Sequence, residues 1–119
     1  MTILTTVLTV LVALLFFYIM YLETFMTVSD KTSKVFNISK EELKRPALYV
    51  LFKNQGVYNG LIGVLLLYGA FFASNKKEFV CAILIYTVLV ALYGSVMSDK
   101  KIILKQGGLP ILTLLSMLF

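Results

Sequence analysis

The chain has no histidine, a single cysteine, two prolines and six acidic residues in 119 positions, and each shortage removes a class of chemistry. Without histidine, both the usual metal ligand and the usual general base near neutral pH are missing. One cysteine, Cys81, excludes a disulfide or dithiol redox pair within one protomer. In its apolar run it reads as an inert buried thiol. No metal or cofactor is therefore expected, and any chemistry must come from carboxylates, amides, lysines, tyrosines and hydroxyls. Charge is scarce as well: 14% of the residues are charged and 60% are hydrophobic, where a soluble domain has about a quarter charged and just under half apolar. The chain reads as a membrane protein. In a soluble protein a net charge of +5 would suggest a nucleic-acid partner. Here the positive residues lie between apolar runs, where orientation signals and lipid-headgroup contacts belong, so the expected partner is the lipid bilayer and not nucleic acid.

From Ile3 to Leu22, twenty consecutive residues carry no charge, which is about 30 Å of helix and enough to cross a bilayer. No basic segment precedes this run and no small-x-small site follows it, so it reads as an anchor and not as a cleaved signal. Residues 29–53 form a polar connection. Within it Ser39-Lys40-Glu41-Glu42 fits a capping box, and a short interfacial helix is expected to begin near Lys40 and to break or kink at Pro46. Gly56 to Ala73 is a second uncharged run of eighteen residues. Ser74-Asn75-Lys76-Lys77-Glu78 permits only a tight hairpin, so Phe79 to Met97 should return antiparallel. Ser98-Asp99-Lys100-Lys101 interrupts the pattern before a last apolar run, Ile102 to Phe119, in which about 13 residues after Gln106 are cleanly apolar and roughly 20 are wanted. Snorkelling of Lys105 or local thinning of the bilayer would accommodate it.

The expected fold is all-α: a single domain, 1–119, with spans at about 3–25, 55–73, 79–97 and 102–119 in a four-transmembrane-helix bundle. Nine basic residues (Lys31, Lys34, Lys40, Lys44, Arg45, Lys53, Lys100, Lys101, Lys105) fall in the first and third connections, against Lys76 and Lys77 in the hairpin. The positive-inside rule then places 29–53 and 98–105 in the cytoplasm of a bacterial cell and both termini outside.

With that topology, Glu23, Asn54, Gln55, Tyr58, Asn59, Tyr93 and Gln106 are all expected near the cytoplasmic ends of the spans. Glu23 is the only acid embedded in an apolar run, and intramembrane ionisable groups are functional candidates by default. Gln55 and Asn59 share a helix face, as do Asn54 and Tyr58, while Gly56 and Gly60 allow a neighbouring helix to approach closely. Three readings stay open. One is a pocket holding a small amphipathic molecule or lipid, with Glu23 as charge partner or proton carrier in a homo-oligomer if transport is involved. Another is an enzyme acting on a lipophilic substrate with Glu23 as acid or base. The third is a packing layer without ligand, in which Glu23 pairs with Lys53 or Lys105. Four other tyrosines, Tyr18, Tyr21, Tyr68 and Tyr86, read most simply as interfacial belts.

Tyr21-Leu22-Glu23-x-Phe25, Phe36, Asn54-Gln55-Gly56-x-Tyr58-Asn59-Gly60, Tyr93-Gly94 and Gln106-Gly107-x-x-Pro110 together resemble the domain-of-unknown-function 1304 family of small bacterial integral membrane proteins. The resemblance covers essentially the whole chain. It implies four helices and a shared polar site, and no established activity. Members often carry a histidine shortly before the Tyr-Leu-Glu motif, where this chain has Phe16-Phe17, and many have one glycine before the last Leu-Pro, where this chain has Gly107-Gly108. A histidine-dependent mechanism does not transfer to this sequence.

Overall fold

The computed structural model describes residues 1–98 and 100–119. Asp99, in the expected cytoplasmic connection 98–105, lies outside the described residues. Among the described residues the fold is all-helical: α1 (Ile3–Met20) runs into a π-helix (Tyr21–Phe25), followed by α2 (Asp30–Phe36), α3 (Lys40–Leu43), α4 (Pro46–Phe71), α5 (Lys76–Met97) and α6 (Ile102–Ser116). Three helical stretches, Ile3–Phe25, Pro46–Phe71 and Lys76–Met97, are long and apolar enough to cross a membrane, and α6 is a shorter apolar helix. At 15 residues, α6 is about 22 Å long, against the ~30 Å of a hydrocarbon core. Every long helix carries exposed large apolar side chains, among them Ile3, Leu14, Leu61, Phe71 and Val96. Water would penalise so much exposed hydrocarbon, whereas lipid tails accept it.

The chain divides into two compact units, Met1–Ala13 with Val64–Phe119, and Leu14–Gly63. In the first unit α5 packs along α6, with Val80, Leu84 and Ala91 buried and with Pro110 and Thr113 buried on α6. Small residues set the crossing: a Cβ on Gly107 would lie 3.4 Å from the Ala91 Cβ. Ser95, near the end of α5, accepts a hydrogen bond from the Ile103 N–H at 2.6 Å and so caps the first turn of α6. At the other end of this unit the Thr5 and Ser116 hydroxyls are 2.8 Å apart, while Thr9, Thr87 and Thr113 donate to carbonyls of their own helices.

The second unit holds the connection. Ser29 caps α2 through the Thr32 N–H at 3.1 Å, and Asn37 ends that helix in the left-handed conformation, where asparagine costs less than most residues. Ser39 caps α3 through the Glu42 N–H at 3.2 Å, while the Glu42 carboxylate turns to Arg45 at 3.2 Å. Pro46 does more than break a helix. It occupies the first turn of α4, where its missing N–H is no loss and its fixed φ suits the helix, and Arg45 O accepts the next bond from Tyr49 N at 2.8 Å. The end of the connection, residues 46–53, is thereby the opening of one 26-residue helix.

Candidate functional site

The centre of the second unit is the end of the first long apolar helix. An α-helix leaves its last four carbonyls without partners, and in an apolar setting those groups need donors from elsewhere. Here the last turn widens into the π-helix, closed by Met26 N–H to Tyr21 O at 2.9 Å, a local irregularity frequent at functional sites. The orphan carbonyls are met by side chains. Thr27 donates its hydroxyl to Glu23 O at 2.7 Å. Thr32, fully buried, shares its hydroxyl between Leu22 O at 3.0 Å and Met26 O at 2.7 Å. Lys53 donates from Nζ to Thr24 O at 2.7 Å.

Lys53 and Thr24 clasp each other: the Thr24 hydroxyl donates to Lys53 O at 2.9 Å while the lysine caps the Thr24 carbonyl. This is possible because Gly56, one turn further along α4, has no side chain. A Cβ there would collide with Thr24 Oγ1 and lie 3.0 Å from the Thr24 nitrogen. Gly60 repeats the device one turn on, against Met20 Sδ.

Glu23 sits beside this clasp, 2% exposed. Asn59 donates from Nδ2 to Glu23 Oε1 at 2.6 Å, a short bond that ties the π-helix to α4 within the unit. Of the seven residues selected from the sequence, the structure thus joins Glu23 and Asn59. Asn54, Gln55 and Tyr58 are exposed on α4. Tyr93, 68% exposed on α5, and Gln106, half-buried on α6, belong to the other unit. Lys53 does not pair with Glu23, because its ammonium goes to the Thr24 carbonyl and lies 5.0 Å from the Tyr49 ring centroid. Among the described residues the ion pairs are Lys40–Asp30 and Arg45–Glu42, both at the surface.

Next to the clasp is a cavity of about 250 Å³ lined by Phe25, Met26, Thr27, Val28, Tyr49 and Lys53, all within this unit. It is an open cleft whose lining mixes the hydrocarbon of Phe25, Met26 and Val28 with the hydroxyls of Thr27 and Tyr49 and the ammonium of Lys53. Lys53 and Thr27 escaped selection from the sequence because a lysine at the mouth of a span reads as an orientation signal and a threonine as filler. The available signal was the number of donors needed where an apolar helix ends. Another cavity, of about 290 Å³, opens in the first unit beside Thr2, Thr5, Lys77 and Ser116. Among the described residues no three His, Cys, Asp or Glu side chains are grouped to hold a metal ion.

No solved structure matches the chain. It is 64% identical over 119 residues, covering the whole of both chains, to the uncharacterised protein YpaA of Lactococcus lactis subsp. lactis strain IL1403. Residues 10–118 match the family described as protein of unknown function (DUF1304), and the chain belongs to that family.

Proposed function

We propose that this is a multi-pass protein of the bacterial cell membrane that crosses the bilayer four times and binds a small amphipathic or lipid-like molecule on the cytoplasmic side. The observation that carries the binding reading is the cavity beside Lys53. This open cleft sets the hydrocarbon of Phe25, Met26 and Val28 beside the hydroxyls of Thr27 and Tyr49 and one cation, the mixture an amphipathic molecule requires. Placed polar groups fix the orientation of a small molecule, and adjoining hydrocarbon takes up its apolar part. At about 250 Å³ the space suits a headgroup-sized fragment, with any chain lying along the exposed apolar surface of Phe25 and Met26.

In this reading Glu23 and Asn59 are positioning residues. Their bond, with the Gly56–Thr24 approach, fixes the π-helix against α4 so that Lys53 and Phe25 face one space. Asn54, Gln55 and Tyr58 stand exposed on α4, open to headgroups or to a second copy of the chain. Tyr93 and Gln106 carry no part of the proposal. The bond that satisfies Glu23 also favours a second, purely structural role for that residue as an interhelical lock.

Photolabelling of the purified full-length protein with a diazirine-bearing amphiphile tests the binding site. Labels should concentrate on residues 25–28 and 49–53, and labels spread evenly over the apolar helices would refute it. The topology is tested in intact cells with a membrane-impermeant maleimide on a Cys81→Ser background. Ser74→Cys should be modified and Lys44→Cys protected, and the reverse pattern would overturn the orientation.

A further inference from the structure

Resting on the binding reading just given, we infer that the cavity beside Lys53 selects a phosphate-bearing anionic amphiphile: the headgroup of an anionic phospholipid. The ammonium of Lys53 has three N–H groups and the clasp uses one, toward Thr24 O. The Tyr49 ring face at 5.0 Å accepts charge but no directed hydrogen bond. Two donors and a positive charge therefore remain at the wall of the cavity, and among the six lining residues Lys53 is the only charged one. Of the acids in this unit, Glu23 is buried and engaged by Asn59, while Asp30 pairs with Lys40 and Glu42 with Arg45. A phosphate diester supplies what this wall lacks, an acceptor with negative charge.

The surroundings favour lipid over a soluble phosphate ester. Phe25 is 67% exposed and Met26 42% exposed at the end of an apolar helix long enough to span a bilayer, so acyl chains have a surface to follow out of the cavity. Exposed Lys31, Lys34 and Lys44 in the same connection add an attractive field for an anionic leaflet. That field is diffuse, whereas the Lys53 contact is local, and this difference allows a test.

The full-length protein is reconstituted in nanodiscs of phosphatidylcholine and phosphatidylglycerol, extracted into mild detergent, and its retained lipid counted by native mass spectrometry. Wild type should keep one phosphatidylglycerol in preference to phosphatidylcholine by about tenfold, as expected for a hydrogen bond to a charged group. Lys53→Gln should abolish the preference, Lys53→Arg should retain it, and Lys31→Gln, which removes the same charge away from the cavity, should leave it unchanged. Met26→Trp, which fills the cavity, should lose both lipids, with retained helicity showing that the variant is folded.

If both lipids are retained equally and Met26→Trp loses both, the cavity binds an amphiphile but the anion selectivity is wrong. If folded Met26→Trp keeps lipid as wild type does, the binding reading fails and the inference with it. If Lys31→Gln lowers the preference as much as Lys53→Gln, the selectivity belongs to the diffuse field and the assignment to Lys53 falls. If inorganic phosphate or glycerol 1-phosphate displaces phosphatidylglycerol at equal concentration, the ligand is a soluble phosphate and the lipid assignment is overturned.

Discussion

Alanine at Gly56 probes the close approach on which the candidate site is built. Its Cβ would collide with Thr24 Oγ1 and lie 3.0 Å from Thr24 N and 3.1 Å from Glu23 Cβ. The hydroxyl could rotate away only by giving up its bond to Lys53 O, worth about 0.5–1.5 kcal/mol. The Thr24 nitrogen and Glu23 Cβ have no such freedom, so the π-helix must move from α4, and overpacking of this kind costs about 1–3 kcal/mol. The gain in helix propensity from Gly to Ala returns at most about 1 kcal/mol. Gly56→Ala should therefore lose roughly 1–3 kcal/mol in a reversible mixed-micelle unfolding titration followed by circular dichroism.

Gly108→Ala is the matched control. It lies within α6 with nothing inside 4 Å of its would-be Cβ, and it should gain up to about 1 kcal/mol. Thr24→Ala removes the atom that collides, so in the Gly56→Ala background it should recover part of the loss and give a coupling of about 1 kcal/mol in a double-mutant cycle. A Gly56→Ala protein as stable as wild type, or a loss that Thr24→Ala does not relieve, would refute the close approach.

Asn59→Ala would leave the buried Glu23 carboxylate without its donor and should cost about 1–3 kcal/mol, whereas Glu23→Gln keeps an acceptor for Asn59 and should cost less; the same unfolding titration compares them. Thr32→Val removes the hydroxyl shared by Leu22 O and Met26 O and should cost about 1–3 kcal/mol, while Thr6→Val, whose hydroxyl is exposed, should change stability by less than about 0.5 kcal/mol. In the connection, the hydrogen bond from Lys40 at 2.8 Å, together with its charge, holds the Asp30 carboxyl below its ordinary value of 3.8, and Asp30 raises Lys40 in turn. A lowered folded value means that the pair's contribution is present above the ordinary carboxylate value and lost as pH falls through the lowered one. Carboxyl NMR should show Asp30 returning toward 3.8 in Lys40→Ala, and an unmoved Asp30 would refute the pairing.

The long helices were legible because uncharged runs of membrane-spanning length have few alternatives, and Ser39 and the hairpin at Asn75 carry their caps in their side chains. The facing of each helix was not legible. In a chain whose lipid-exposed surface is as apolar as its interior, periodicity does not separate buried from exposed, so nothing in the pattern sends Asn59 inward while Asn54, Gln55 and Tyr58 face out. Glu23 could be chosen from sequence because one acid in an apolar run stands alone. Its partner could not, since four polar side chains on one helix were equivalent until Gly56 and Gly60 fixed which side approaches Thr24 and Met20. The π-helix left no mark in the sequence, and the lysine it recruits reads in sequence only as one of nine cations in the first and third connections.

The choice of lysine at position 53 separates capping from binding. Thr27 and Thr32 meet their carbonyls with single hydroxyl protons and have nothing left to donate. If Thr24 O needed only a cap, a neutral donor would serve and would avoid holding a half-buried ammonium at the edge of an apolar span. The charge is superfluous to the helix end, so the two roles should come apart on substitution. Lys53→Gln retains a donor and should stay within about 1 kcal/mol of wild type, while Lys53→Leu strands the carbonyl and should lose about 1–3 kcal/mol. Both should lose the preference for anionic lipid, which depends on charge and not on the cap. If Lys53→Leu unfolds no more readily than wild type, Thr24 O does not depend on this lysine. If Lys53→Gln keeps the lipid preference, the charge has no part in it.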